Sequence, residues 1–242
     1  MRILVISDVH SNLPALEAVL AAAQPYDAVW CLGDLVGYGP DVNEVVEKIR
    51  SLPNLSCVMG NHDAAVIGQI ELASFNREAR ASIVWTQSVI NPENLKFLQS
   101  LPEKLVIGNA TLVHGSPRSP VWEYLLDSQN ALENFPYFET PFCFVGHTHI
   151  PIVYYYRGEG RPVDWRLLME DDGPQGNARM IVNPGSVGQP RDHNPRAGYA
   201  IFWPELATWK THRVEYDVTG VQQRILKANL PDRHAHRLSS GW

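Results

Sequence analysis

The chain has 242 residues, of which 45% are hydrophobic and 19% charged, enough apolar material for a sizeable core and the wrong composition for wholesale disorder. Lys and Arg number 20 against 26 Asp and Glu, a formal net charge of -6, and no basic stripe marks a nucleic-acid footprint. No apolar run approaches the roughly 20 residues of a membrane span, and Ile3 to Ile6 is too short for a signal-peptide core, so a cytoplasmic location is expected.

The first half alternates between two periodicities. Ile3 to Ile6 is a continuous apolar run, as a strand buried on both faces requires. Pro14 to Ala23 carries apolar residues at helical spacing, with Pro14 in a first turn where its missing N–H has no helical role. Ala28 to Leu32 reads as a strand, Val42 to Leu52 as a helix with Asp41 as its candidate N-cap, and Leu55 to Met59 as a third strand. This order predicts an α/β sheet with parallel crossovers.

The middle is more helical. Ser74 to Ile90 has helical spacing, and Asn91-Pro92-Glu93 is a good start for a helix continued by Leu95, Leu98 and Leu101. Lys104 to Ile107 and Thr111 to His114 read as a hairpin turning at Gly108-Asn109. A short helix is expected over 127–135 and a buried strand over 142–145. Ile152 to Tyr156, Met180 to Val182, Gly198 to Phe202 and Trp209 to Tyr216 favour strands. Residues 157–179 read as an excursion at a sheet edge, and 219–242 as a helix followed by a polar tail. With no linker and no repeats, a single domain over 1–242 is expected, with two stacked sheets and helices outside. Cys31, Cys57 and Cys143 lie inside apolar runs and read as buried strand thiols.

Chemistry-bearing residues recur directly after the predicted strands. Asp8 and His10 follow the first, Asp34 the second and Asn61-His62-Asp63 the third; His114 ends a fourth, and His147 and His149 follow a fifth. Ligands bind beyond the carboxyl ends of strands in open α/β sheets, so these loops are expected to converge. Asp8, His10, Asp34, Asn61, His114, His147 and His149 offer carboxylate, imidazole and amide donors suited to borderline divalent cations. They are too many for one four-coordinate ion and about right for two sharing a bridge. Such a pair, roughly 3.5–4 Å apart, clamps an in-line displacement at phosphorus. Two dications, two aspartates and a bridging hydroxide nucleophile leave one positive charge over.

These five ordered motifs resemble the calcineurin-like metallophosphoesterase superfamily, and within it the small bacterial and archaeal phosphoesterases. Gly33-Asp34-Leu35-Val36-Gly37-Tyr38-Gly39-Pro40 and Asn183-Pro184-Gly185-Ser186-Val187-Gly188-Gln189-Pro190-Arg191 extend the likeness, which covers about residues 1–216. It implies a four-layer α/β sandwich, two mixed sheets between helices. It implies Asp8, His10 and His149 on one ion, Asn61, His114 and His147 on the other, and Asp34 between them. His62 is then a catalytic residue that contacts phosphate and protonates the leaving oxygen. Mn²⁺ is the expected metal, with Fe, Zn²⁺, Ni²⁺ and Co²⁺ as alternatives.

The expected activity is hydrolysis of a small phosphate mono- or diester by a metal-activated hydroxide. Two alternatives remain. A phosphoprotein phosphatase is opposed by Gly37-Tyr38-Gly39, which stands where those enzymes carry Asp-Arg-Gly; a non-catalytic scaffold of the same fold is opposed by the presence of His62. Asp63 either orients a histidine or caps the following helix. Arg118 and Arg191 are candidate substrate-binding residues, able to fork onto phosphate. Trp122 and Tyr124 form a wall beside the metals or a packed surface loop, and Tyr38 faces substrate or packs. His193, His212, His234 and His236 lie outside the motifs and read as solvated. The oligomeric state is open.

Overall fold

The computed structural model describes residues 1–176 and 178–242. β1 (Ile3–Ile6) lies at the centre of a five-stranded sheet. It pairs in parallel with β2 (Ala28–Cys31), which pairs in parallel with β3 (Leu55–Cys57). On its other side β10 (Ala197–Trp203) and β11 (Thr208–Val214) add antiparallel.

The second sheet has six strands. β4 (Lys104–Ile107) and β5 (Ala110–Val113) form the expected hairpin. β6 (Phe142–Phe144) and β9 (Arg179–Asn183) continue in parallel, and β7 (Ile152–Tyr156) and β8 (Asp164–Leu167) close the edge antiparallel. The excursion expected over 157–179 therefore contributes a strand of its own, although Asn177 lies outside the described residues.

Strand alternation divides the core into layers. Ile3 and Val5 of β1 face the second sheet and meet Trp30, Phe144, Phe202 and Trp209. Leu4 and Ile6 face outward into a cluster with α1 (Leu13–Ala22) and α2 (Val42–Arg50). The outer face of the second sheet, with Cys143, Tyr154 and Ile181, packs against Ala131 and Phe135 at α6 (Ser128–Asn134). The result is the four-layer sandwich with two mixed sheets. Cys31, Cys57 and Cys143 are buried free thiols, as expected.

The helices expected from Asn91-Pro92 and from 127 start there, whereas the one expected from Ser74 begins at Arg77. Asn76 and Asn91 cap α4 (Arg77–Val89) and α5 (Pro92–Gln99) through side-chain bonds to Ala79 N and Asn94 N, and Asp127 caps α6. Asp41 departs from expectation. It stands at the start of α2 but makes no side-chain bond to that helix. Its carboxylate instead accepts from Leu13 N at 3.2 Å and pairs with Arg224 of α7 (Val218–Lys227), joining three helices.

The C-terminal segment is a second departure. The residues read as a polar tail form α8 (Asp232–Ser240), which packs Ala235 and Leu238 against Val221 and Ile225 of α7. His234, expected in solvent, is buried. The tail looked polar because only one narrow stripe of a short helix needs to be apolar to dock. Among the described residues, no helix is long and apolar enough to cross a membrane.

Phe202 is fully buried between the sheets, with ring centroids 5.2 Å from Phe142 and Phe144 and 5.4 Å from Trp30. Phe202→Ala is expected to cost about 3–5 kcal/mol, because the rigid sheets on either side cannot collapse into the space. Urea denaturation should show a lower midpoint at an unchanged slope.

Candidate metal centre

The five motif loops meet at the carboxyl ends of β1, β2, β3, β5 and β6. Two overlapping groups form there, Asp8 with His10, Asp34 and His149, and Asp34 with His114 and His147. Asp34 is common to both. Its Oδ2 lies 3.5 Å from His10 Nε2 and 3.4 Å from His114 Nε2, while its Oδ1 accepts the backbone N–H of His62 at 2.8 Å. One oxygen is thus held by the protein and the other faces both halves of the centre. Asp8 Oδ1 is 3.3 Å from His149 Nε2, and Asn61 Oδ1 is 3.0 Å from His114 Nε2. All seven predicted ligands are brought together, and all are buried.

The imidazoles are oriented from behind. His10 Nδ1 donates to Val36 O at 3.0 Å, His114 Nδ1 to Leu32 O at 2.8 Å, His149 Nδ1 to Gln189 O at 2.6 Å and His147 Nε2 to Trp122 O at 3.0 Å. A carbonyl oxygen only accepts, so each of these nitrogens carries the ring proton. The opposite nitrogens then turn lone pairs inward. His10 Nε2 and His149 Nε2 come within 3.1 Å, as do His114 Nε2 and His147 Nδ1. Facing lone pairs at that distance repel unless a cation or a proton lies between them. The donor set and its backbone partners fit two divalent ions.

The electrostatics agree. Burial depresses His10, His147 and His149, so they stay neutral and able to ligate. Burial also acts to lower His114, but Asp34 beside it outweighs this and raises it to about 9. Burial acts to raise Asp34, yet His114 and His62 hold it well below the usual carboxylate range. Asp34 attracts positive charge strongly enough to draw a proton where an ion would sit.

Close approach is bought with backbone strain. Asp8, His10, Asp34, His147 and His149 all have φ between 49° and 66°, a region costly for residues with a side chain. Gly60 is required for a different reason, because a methyl group there would collide with Asp34 Oδ1 and Asp34 N. Gly37 combines both constraints, with φ +90° and an added methyl driven into His62 Nδ1.

His62 lies beside the ligands without joining them. Its ring is 4.9 Å from His10, 4.5 Å from Tyr38 and 5.3 Å from Phe75, and its buried Nδ1 has no hydrogen-bond partner. Burial lowers its pKa to about 4, so the free protein holds it neutral. Asp63 is a cap and does not orient His62. Its Oδ1 accepts from Leu35 N at 3.0 Å and Val36 N at 3.2 Å, and its Oδ2 from Gly60 N at 3.0 Å. It therefore fastens the Asp34 loop to the Asn61 loop as well as starting α3 (Asn61–Val66).

The two candidate arginines separate. Arg191 N donates to His149 O, and its guanidinium reaches Gln189 Oε1 at 3.1 Å and Tyr38 Oη at 3.4 Å, beside the centre. Arg118 is corrected. Its guanidinium is held by Glu123 and by Glu133 at 3.0 Å, so it clamps the 116–126 loop and does not stand open to phosphate. That loop does form a wall. Tyr124 stacks on His147 at 3.6 Å, and Trp122 meets Phe75 edge to face at 5.1 Å. Sequence reading missed Phe75 and placed His234 in solvent; both reach the site through packing, Phe75 against His62 and His234 against Tyr38.

Residues 1–205 match the family model described as the calcineurin-like phosphoesterase superfamily domain. The chain is 46% identical to a metallophosphoesterase from Sphaerobacter thermophilus of known structure, with a TM-score of 0.92 over 100% of this chain and 99% of that one. It is 42% identical to an uncharacterized protein from Methanocaldococcus jannaschii over 99% of this chain and 98% of that protein. A 67-residue stretch is 40% identical to a symmetrical bis(5'-nucleosyl)-tetraphosphatase from Pectobacterium atrosepticum, covering 26% of this chain and 24% of that enzyme.

Asp63→Ala removes an acceptor from three buried N–H groups at once. Each orphaned donor costs about 1–3 kcal/mol, so a total on the order of 3 kcal/mol or more is expected. Urea denaturation reads the loss, and a metal titration should show weakened binding, because the Asp34 and Asn61 loops are no longer fastened. A change below about 1 kcal/mol would contradict this role.

Proposed function

The chain belongs to the calcineurin-like phosphoesterase superfamily, and from that premise we propose that it hydrolyses small phosphodiesters, and monoesters to the extent that Arg191 meets the additional oxygen, with Mn²⁺ as its metal. Membership and the Asp/His cluster together support a metal-dependent hydrolase of phosphoester bonds. The observation that supports a centre of two linked ions is Asp34 Oδ2, placed within 3.5 Å of ligands from both halves of the centre.

Held by Asp8, His10, Asp34, Asn61, His114, His147 and His149, two divalent ions would supply Lewis acidity toward phosphoryl oxygens and a water acidic enough to attack at neutral pH. The protein supplies the remainder. Asp8 and Asp34 are the carboxylates of the cluster, two charges that would leave a positive balance toward a phosphoryl group with both sites filled. His62, next to Asn61 in the chain and packed against His10 and Tyr38, would set its imidazole beside a phosphoryl group held at the centre. A phosphoryl anion next to it favours its charged form, which then donates a proton to the departing oxygen. The Phe75, Trp122 and Tyr124 wall offers apolar contact to a planar leaving group; Trp122 is 36% and Tyr124 43% exposed.

A diester has two terminal oxygens and a monoester three. Arg191 is the guanidinium beside the centre that can meet the third, whereas Arg118 is already engaged. The segment Gly37-Tyr38-Gly39 brings no further cation, which argues against a dedicated phosphoprotein phosphatase.

The test is steady-state kinetics with Mn²⁺ on an aryl phosphodiester and the matching monoester. The wild type should cleave the diester. His62→Ala should keep its metal content and lose about 10²-fold or more in turnover, with a smaller loss for better leaving groups. Arg191→Ala should reduce monoester cleavage more than diester cleavage. A wild type that cleaves monoesters only, with Arg191→Ala unchanged, would overturn the reading.

A further inference from the structure

A second concentration of positive charge borders the metal centre. The Arg191 guanidinium lies over the Tyr38 ring, 5.8 Å from its centroid. Tyr38 also meets His10 and His62, each at 4.5 Å, and His234 at 4.7 Å, so this ring joins the centre to α8. Arg237 follows His234 by three positions and shares its helix face. The segments carrying the two arginines are tied together. His193 N donates to Gly241 O at 2.8 Å, and the His193 ring stacks on Trp242 at 5.2 Å with planes 11° apart.

No carboxylate is paired with either arginine of this patch among the described residues. Arg191 bonds only to neutral oxygens, those of Gln189 and Tyr38. Neither guanidinium faces a carboxylate at ion-pair distance among the described residues, and the Nε atoms of both are buried without a partner. Other partly buried arginines, Arg166, Arg196 and Arg213, do pair with a carboxylate, in a protein with more acids than bases. Burial, and after it Arg191, lower the pKa of Arg237, whereas Glu78 opposes more weakly. Two partly buried guanidinium groups, one over the Tyr38 ring and one on the α8 face that packs His234 against that ring, carry a cost without a paired carboxylate, and an anion bound between them would offset it.

We propose that Arg237, with Arg191, forms a subsite for a second phosphoryl group of the substrate, next to the one held at the metal centre. The proposal rests on the phosphoesterase reading above and narrows it to small phosphoesters that carry a second phosphate. Arg191 is shared between the two phosphoryl groups, and Arg237 meets only the outer one. Both arginines present planar, bidentate forks, which suit phosphate oxygens.

The probes are methylenediphosphonate and methylphosphonate, which differ by one phosphoryl group and are not hydrolysed. Calorimetric titration into Mn²⁺-loaded protein should show the wild type preferring the bisphosphonate. In Arg237→Gln that preference should fall by at least about 10-fold, as expected for a lost charge-assisted pair. Arg237→Lys, which keeps the charge, should retain part of it, and His236→Gln, exposed on the same helix, should retain all of it. An equal preference in wild type and Arg237→Gln would overturn the subsite, since the metals alone would then account for it. No preference in the wild type would also overturn it. Failure of the underlying reading is separate, because it appears as absent hydrolysis of the aryl diester whatever the bisphosphonate does.

Discussion

The centre depends on lone pairs forced to face one another. Four imidazoles each donate one ring N–H to a backbone carbonyl behind them and turn the other nitrogen inward, two pairs of these 3.1 Å apart, and in the free protein a second proton on His114, drawn by Asp34, stands where a cation would. Left alone, this arrangement is repulsive. It becomes favourable only when positive charge occupies the space, and the two aspartates at its middle ensure that positive charge is attracted. The binding energy of the ions thereby becomes folding energy for the loops that hold them. The same requirement explains the left-handed backbone at Asp8, His10, Asp34, His147 and His149, which lets three of the five loops turn tightly enough to bring their donors to one point.

The scaffold makes that strain tolerable. β1, β2 and β3 are short strands at the centre and one side of the first sheet, β5 and β6 lie side by side in the second, and aromatic packing of Trp30, Phe144 and Phe202 fixes the two sheets against each other. Rigid sheet ends allow each loop to be short. Asp63 then joins two of the loops by accepting N–H bonds from both, a task only an acceptor with two oxygens can perform at that place. The buried carboxylate is placed where it restrains the ligand loops and leaves His62 to be held by packing alone.

Much of this was legible in the residues. The buried strands announced themselves as apolar runs, and the ligands as Asp, His and Asn directly after them, because a metal site requires particular atoms and few residue types carry them. What was not legible arises from packing between distant segments. Arg118 and Arg191 are chemically identical in the sequence, and only the neighbouring Glu123 and Glu133 decide that Arg118 is a clamp. Asp41 looks like a cap and acts as a brace between helices. His234 and Arg237 sit in a stretch rich in charge, and their positions depend on α8 docking through a stripe as small as Ala235 and Leu238. β8 was hidden because an exposed edge strand needs no apolar signature, and its residues are mostly exposed.

The central claim is that Asp34 links two ions in one site. Elemental analysis of metal-loaded wild type and Asp34→Asn tests it most directly, because the substitution removes the charge and preserves the shape. Two ions per chain in the wild type, with both sites weakened together in the variant, is the predicted result. A saturated stoichiometry of one, or a variant that loses one ion and keeps the other at wild-type affinity, would contradict it.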